Sequence, residues 1–173
     1  LKNEKVKVVL VSFPHNPTTL TVNKEFYDEL VELAKKYNFL VINDFAYSDI
    51  YFDEEKPPSL LNSDPELEHT VELYSLTKGY SMAGWRVGFA IGNENSISAL
   101  TKIKSYIDYG TFQPIQIAST VAINDLDDYP KEVSSIYSER RSVAKEYLSK
   151  YGFAVQESNA TMFVWAKMPN IYN

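Results

Sequence analysis

Two short apolar runs with one amphipathic helix between them constrain this chain more than any other feature. Val6–Ser12 reads Val-Lys-Val-Val-Leu-Val-Ser and stops at Phe13-Pro14; Phe39-Leu40-Val41-Ile42 stops at Asn43-Asp44. Runs so short, rich in β-branched residues and closed by turn formers, read as strands, the first buried on both faces. Asn23 is placed to cap a helix through about Tyr37, with Glu25 in its positive first turn and Val22 and Tyr27 as a staple. Phe26, Leu30, Leu33 and Tyr37 supply its apolar stripe. Strand, helix and strand then fit one right-handed crossover and a parallel pair.

After a Pro-bearing loop over Asp53–Pro65, a third strand runs Thr70–Leu76 and a fourth Arg86–Ile91, closed by Gly92-Asn93. Ile97, Leu100, Ile103 and Ile107 mark a helix, Gln113–Asn124 another, and a long one runs from Pro130 to Gly152. Its inward set is Val133, Ile136, Tyr137, Val143, Ala144, Tyr147, Leu148 and Tyr151. Phe153–Gln156 and Met162–Ala166 read as strands of a new layer. The fold class is therefore α/β, a mainly parallel sheet flanked by helices. Residues 1–128 form one domain, 129–152 a linking helix and 153–173 the start of a small α/β domain.

Composition removes several kinds of function. Apolar residues are 45% and charged residues 23% of the 173, the balance of a globular protein. A net charge of -6 disfavours attraction to nucleic-acid phosphates, and the tyrosines interleave with acids rather than bases. With no cysteine and only His15 and His69, no metal site is expected. No run approaches a membrane span and the first residues lack a signal peptide, so a cytoplasmic address is expected and the sequon Asn159-Ala160-Thr161 reads as accidental.

In open α/β sheets ligands bind outside the carboxyl ends of the strands. Those ends carry Pro14-His15-Asn16-Pro17-Thr18, then Asp44-Phe45-Ala46-Tyr47, then Ser75-Leu76-Thr77-Lys78, followed by Gly84-Trp85-Arg86-Val87-Gly88. Amine, acid, phenol, amide, hydroxyl and guanidinium together suit pyridoxal 5'-phosphate. Lys78 would form a Schiff base with its aldehyde, and Asp44 would pair with the pyridine nitrogen. Tyr47 and Asn16 would donate to its phenolate, and Ser75 and Arg86 would hold its phosphate. Taken singly, each has an ordinary reading: surface amine, cap, core ring, turn residue, strand-end hydroxyl, surface charge. Their co-location carries the argument, because Arg140 and Arg141 belong to a solvated face of the long helix, while Arg86 falls eight residues after Lys78. Gly79–Gly84 has P-loop spacing but Trp85-Arg86 where Lys and Ser/Thr belong, and GxGxxG and GxSxG are absent. His15 is therefore a turn residue.

Ser75-Leu76-Thr77-Lys78-Gly79-Tyr80-Ser81-Met82-Ala83-Gly84-Trp85-Arg86-Val87-Gly88 resembles the lysine-attachment signature of class I/II aminotransferases, pyridoxal-phosphate enzymes of fold type I. Asn16-Pro17-Thr18 resembles that family's Asn-Pro-Thr-Gly, with Thr19 where Gly is usual, and Asp44-x-x-Tyr47 resembles its pyridine and phenolate partners. The similarity covers essentially the whole chain. Phe13–Thr18, Lys102–Phe112 and Asn159–Pro169 look most like bacterial glutamate-pyruvate (alanine) aminotransferases, with LL-diaminopimelate aminotransferases close behind and aspartate aminotransferases sharing the machinery.

The resemblance implies a ping-pong exchange between an amino acid and a 2-oxo acid, with Lys78, Asp44 and Tyr47 catalytic and Lys78 also carrying the proton. It implies that residues 1–128 are part of the cofactor-binding large domain. It further implies a homodimer, with Tyr109–Phe112 near the partner's site. The family's phosphate loop and stacking aromatic would precede Leu1, and its carboxylate-binding arginine would follow Asn173, so the chain reads as a central piece that does not turn over alone. A lyase or decarboxylase on the same scaffold, and the effector-binding domain of a transcription regulator, are the rival readings.

Overall fold

Val8–Ser12 (β1) and Leu40–Asp44 (β2) pair in parallel, with Val8 opposite Leu40 and Ser12 opposite Asp44. Thr70–Ser75 (β3) extends the sheet in parallel, and Gly88–Gly92 (β4) lies antiparallel along β3, giving the order β1-β2-β3-β4. The computed structural model describes residues 5–52 and 55–169. The sheet is thus mixed but mostly parallel, as the alternation of strands and helix requires.

Lys24–Tyr37 (α1) starts where Asn23 Oδ1 accepts the Phe26 N–H at 3.1 Å and stops at Asn38, which takes the left-handed conformation at φ 53°. Its buried face is Tyr27, Val31 and Ala34, packed on Phe39, Val41 and Leu60. Of the expected stripe of Phe26, Leu30, Leu33 and Tyr37, Leu30 packs against this core, while the other three lie on the neighbouring arc of the helix and are part-exposed. Both arcs are apolar, and the sheet decides between them. Phe26 instead meets Phe13 edge-on, with centroids 5.5 Å apart.

β1 corrects a second expectation. Val9 and Val11 pack on the α1 core, but Val8 and Leu10 are 50% and 69% exposed, so only one face is covered. The loop between β2 and β3 includes a 3-10 turn at Leu60–Ser63, held to the sheet by buried acids. Glu72 of β3 accepts from Asn43 Nδ2, Ser59 Oγ and the Leu60 N–H at 3.0, 2.6 and 2.8 Å. Asp64 accepts from the His69 N–H and Thr70 Oγ1 at 2.8 and 3.0 Å. A carboxylate this deep is tolerated because its oxygens are bonded.

Leu76–Gly79 (α2) follows β3 directly, and Glu94–Ile107 (α3), Gln113–Asp125 (α4) and Tyr129–Lys150 (α5) follow β4. The stripe on α3 is largely exposed at Leu100, Ile103 and Ile107. Of the inward set on α5 only Val133 is buried, while Ile136, Val143, Tyr147 and Tyr151 are exposed. Periodicity identified both helices without saying what covers them. Ala154–Val155 (β5) and Ala166–Lys167 (β6) form a separate antiparallel pair. Most of the strand expected over Met162–Ala166 is irregular, because Ala160 and Thr161 dock elsewhere: Ala160 bridges Tyr51, and the Thr161 N–H donates to the Ile50 carbonyl at 2.8 Å. Among the described residues no helix is long and apolar enough to cross a membrane.

Thr19 is buried at φ 65°, and its Oγ1 has no hydrogen-bond partner among the described residues. A β-branched residue there costs roughly 1–2 kcal/mol of backbone energy, and the orphan hydroxyl about as much again. Glycine would remove both, against about 1 kcal/mol of lost methyl burial and about 0.4–1 kcal/mol of unfolded-chain entropy. Thr19→Gly is therefore expected to stabilise the full-length protein by about 1 kcal/mol in a denaturant titration. A lower midpoint would show that the side chain contributes more by packing than its backbone costs.

Candidate active site

The register sets the site. Asp44 pairs with Ser12 on one side and Leu73 on the other, so the carboxyl ends of β1, β2 and β3 lie side by side. Beyond β2, Asp44 Oδ1 accepts the Ala46 N–H at 3.3 Å and the Ser48 N–H returns to the Phe45 carbonyl at 3.1 Å. This tight turn delivers Tyr47 into a buried position. Beyond β3, Ser75 Oγ accepts the Thr77 N–H at 3.2 Å and so caps α2, the turn that carries Lys78.

Tyr47 is where these elements meet. Lys78 Nζ lies 5.5 Å from the centroid of its ring, a cation–π distance, and Phe163 meets the same ring at 5.4 Å and 61°. Burial above all, then the charge of Asp44 and the nearby Tyr137, pushes the Tyr47 phenol above its ordinary range, so it is a hydrogen-bond donor at neutral pH. Lys78 has no ion pair and no hydrogen bond from its amine among the described residues.

The other candidates stand further out. Asn16 is exposed on a loop closed by the His15 N–H to the Leu20 carbonyl and the Thr19 N–H to the His15 carbonyl, both 2.9 Å. Arg86 is also exposed, in the left-handed conformation at φ 54°, and its Nη1 donates to the Ala83 carbonyl at 3.1 Å. Pairing of Ser75 with Gly88 brings the Arg86 segment beside the Ser75 turn. The structure thus brings Lys78 to Tyr47, with Asp44 and Ser75 at the starts of the turns that carry them, and leaves Asn16 and Arg86 on the adjoining loops. Arg141 is not the solvated charge expected: its guanidinium donates to the Ser158 carbonyl and lies 4.3 Å from the Phe52 ring centroid.

A support beneath the lysine turn went unread in the sequence. A Cβ on Gly79 would sit 2.7 Å from Asp49 Cβ and 2.9 Å from Asp49 Oδ2, so only glycine lets the turn approach. Asp49 is itself fixed by Lys56 Nζ at 2.9 Å and Tyr74 Oη–H at 2.6 Å, and burial together with that bond drives the Tyr74 phenol strongly upward. The available signal was a glycine next to the lysine inside a helical turn, where glycine is otherwise a poor choice. Phe163 gave no comparable signal, since its contact with Tyr47 spans more than a hundred residues.

The donor set fits pyridoxal phosphate. Among the described residues it offers an amine without an ionic partner, a strand-end carboxylate with one backbone bond, a hydroxyl whose proton the cap leaves free, and a guanidinium with donors to spare. The mixed, mostly parallel sheet flanked by helices is the architecture of fold type I aminotransferases.

Comparison with known proteins makes the class specific. The family described as "Aminotransferase class I and II" matches residues 1–171. The glutamate-pyruvate aminotransferase AlaC of Escherichia coli (strain K12) is 42% identical over 168 residues, covering 97% of this chain and 41% of AlaC. An LL-diaminopimelate aminotransferase of Nitratidesulfovibrio vulgaris is 40% identical over 170 residues, 98% of this chain and 44% of that protein. An aminotransferase structure from Staphylococcus aureus superposes with a TM-score of 0.88 at 35% identity, covering 95% of this chain and 43% of the other. The chain belongs to the class I and II aminotransferase family, whose members depend on pyridoxal phosphate. It spans about two-fifths of the length of these relatives.

Proposed function

We propose that the protein to which this chain belongs moves an amino group between an amino acid and a 2-oxo acid, of the glutamate/pyruvate type. The observation that carries the reading is the Lys78 amine, unpaired by any acid among the described residues, held 5.5 Å over Tyr47 at the carboxyl edge of the sheet that Asp44 ends. When bound, pyridoxal phosphate supplies a carbonyl for amines and a ring that withdraws electrons. Lys78 Nζ would hold it covalently and, once free, would be the base placed to carry the proton from the substrate's α-carbon. Asp44 would face the ring nitrogen, Tyr47 and Asn16 would donate to the phenolate oxygen, and Ser75 and Arg86 would hold the phosphate.

The division at residues 128 and 152 belongs to the same proposal, supported by two separate sheets with α5 between them. So do the homodimer and the cytoplasmic address. Ile103, Tyr106, Tyr109 and Phe112, 56 to 92% exposed, support an interface on that segment. LL-diaminopimelate is the second substrate reading, favoured by relatives of that name at 40–42% identity. The test is a half-reaction screen of the full-length protein, loaded with cofactor, against glutamate, alanine, aspartate and LL-diaminopimelate. Glutamate and alanine are expected to bleach the lysine-bound cofactor's visible band fastest. Faster bleaching by LL-diaminopimelate would reassign the substrate, and no bleaching by any of the four would overturn transamination.

A further inference from the structure

We propose that Phe163 is a positioning residue for Tyr47, through which the segment joining β5 and β6 controls the aim of the site phenol; the inference rests on the reading that Tyr47 serves the cofactor. Phe163 meets the Tyr47 ring in a T-shaped pair at 5.4 Å, while Lys78 Nζ lies 5.5 Å from the same ring's centroid. The turn after β2 fixes only the start of the Tyr47 side chain. Lys78 is a long flexible stem and a poor stop for a ring. Phe163 is a stiff one, and its segment is clamped.

That clamp is continuous. The Phe52 N–H donates to the Asn159 carbonyl at 2.9 Å, Ala160 bridges Tyr51, and the Thr161 N–H donates to the Ile50 carbonyl at 2.8 Å. Ala160 and Thr161 are wholly buried, the Phe163 N–H donates to Thr161 Oγ1 at 3.3 Å, and Arg141 holds the Ser158 carbonyl. Gln156 Nε2 also reaches the Thr18 carbonyl, at 3.2 Å, on the loop that carries Asn16. One segment therefore touches both strand-end loops that supply donors to the same oxygen. The charged and titratable groups facing Tyr47 are Asp44 at the end of β2, Lys78 on α2 and Tyr137 on α5. Phe163 carries no charge, so replacing it acts on the phenol through orientation and hydration alone.

The experiment uses the full-length protein with pyridoxal phosphate and follows the visible band of the lysine-bound cofactor against pH. In Phe163→Ala, and in Phe163→Leu, which keeps bulk but removes the ring, the band still forms. Its titration midpoint rises by roughly half to one unit, the scale of one aromatic pair. kcat falls about three- to tenfold with little change in KM, and Phe163→Tyr restores both. Wild-type midpoints in Phe163→Ala and Phe163→Leu, with Tyr47→Phe shifting as a control, would overturn the role of Phe163 alone. A Tyr47→Phe variant that left the midpoint unmoved would instead overturn the Tyr47 reading, and this inference with it.

Discussion

Lys78→Ala in the full-length protein is expected to lower kcat about ten-thousand-fold or more and to abolish the visible absorbance of lysine-bound cofactor. Two roles disappear at once, the covalent anchor and the proton carrier, and positioned acid–base catalysis alone contributes about a hundred- to ten-thousand-fold. Among the described residues no other amine is shown against the Tyr47 ring. Lys56 is committed to Asp49 at 2.9 Å, and Lys104 and Lys131 are paired with Asp108 and Asp128 on exposed helix ends. The change should be quiet for folding, because the Lys78 amine makes no ion pair among the described residues and α2 keeps its Ser75 cap. Absorbance spectra and steady-state rates of the purified variant check this. Retention of the band, or of a tenth of the activity, would remove Lys78 from the role.

Asp44→Asn is expected to lower kcat about a thousandfold, the scale of losing one preorganised electrostatic partner. Asparagine keeps the oxygen that accepts the Ala46 N–H, so the turn leading to Tyr47 survives while the charge is lost. Stability should change by less than about 1 kcal/mol, since the substitution opens no cavity. A second readout follows from electrostatics. The Asp44 charge is the largest cause after burial of the raised Tyr47 phenol, so its ionisation should come down in the variant. Activity within tenfold of wild type would show that this carboxylate does not face the ring nitrogen.

The four strands of the main sheet, the start of α1 and the strand-end residues were legible in the sequence because each rests on local chemistry; the turn α2 was not, and the strand expected over Met162–Ala166 proved mostly irregular. Asn23 and Ser75 cap the turns that follow them, and Asp44 ends β2. What the sequence did not disclose depends on distant partners. Tyr27 and Val31, rather than Phe26 and Leu33, face the core because Phe39, Val41 and Leu60 meet them there. Asp49 supports the lysine turn through Gly79, and Phe163 reaches Tyr47, across separations that no periodicity records. Arg141 read as a surface charge because its Ser158 and Phe52 partners arrive only with the fold.

The site depends on Lys78 being the amine presented beside Tyr47 at the edge of the sheet. Borohydride reduction of the full-length, cofactor-loaded protein, followed by peptide mapping, reads out that amine directly. The expected result is a single pyridoxyl-bearing peptide, modified at Lys78. Stoichiometric modification of a different lysine, with Lys78 untouched, would contradict the account.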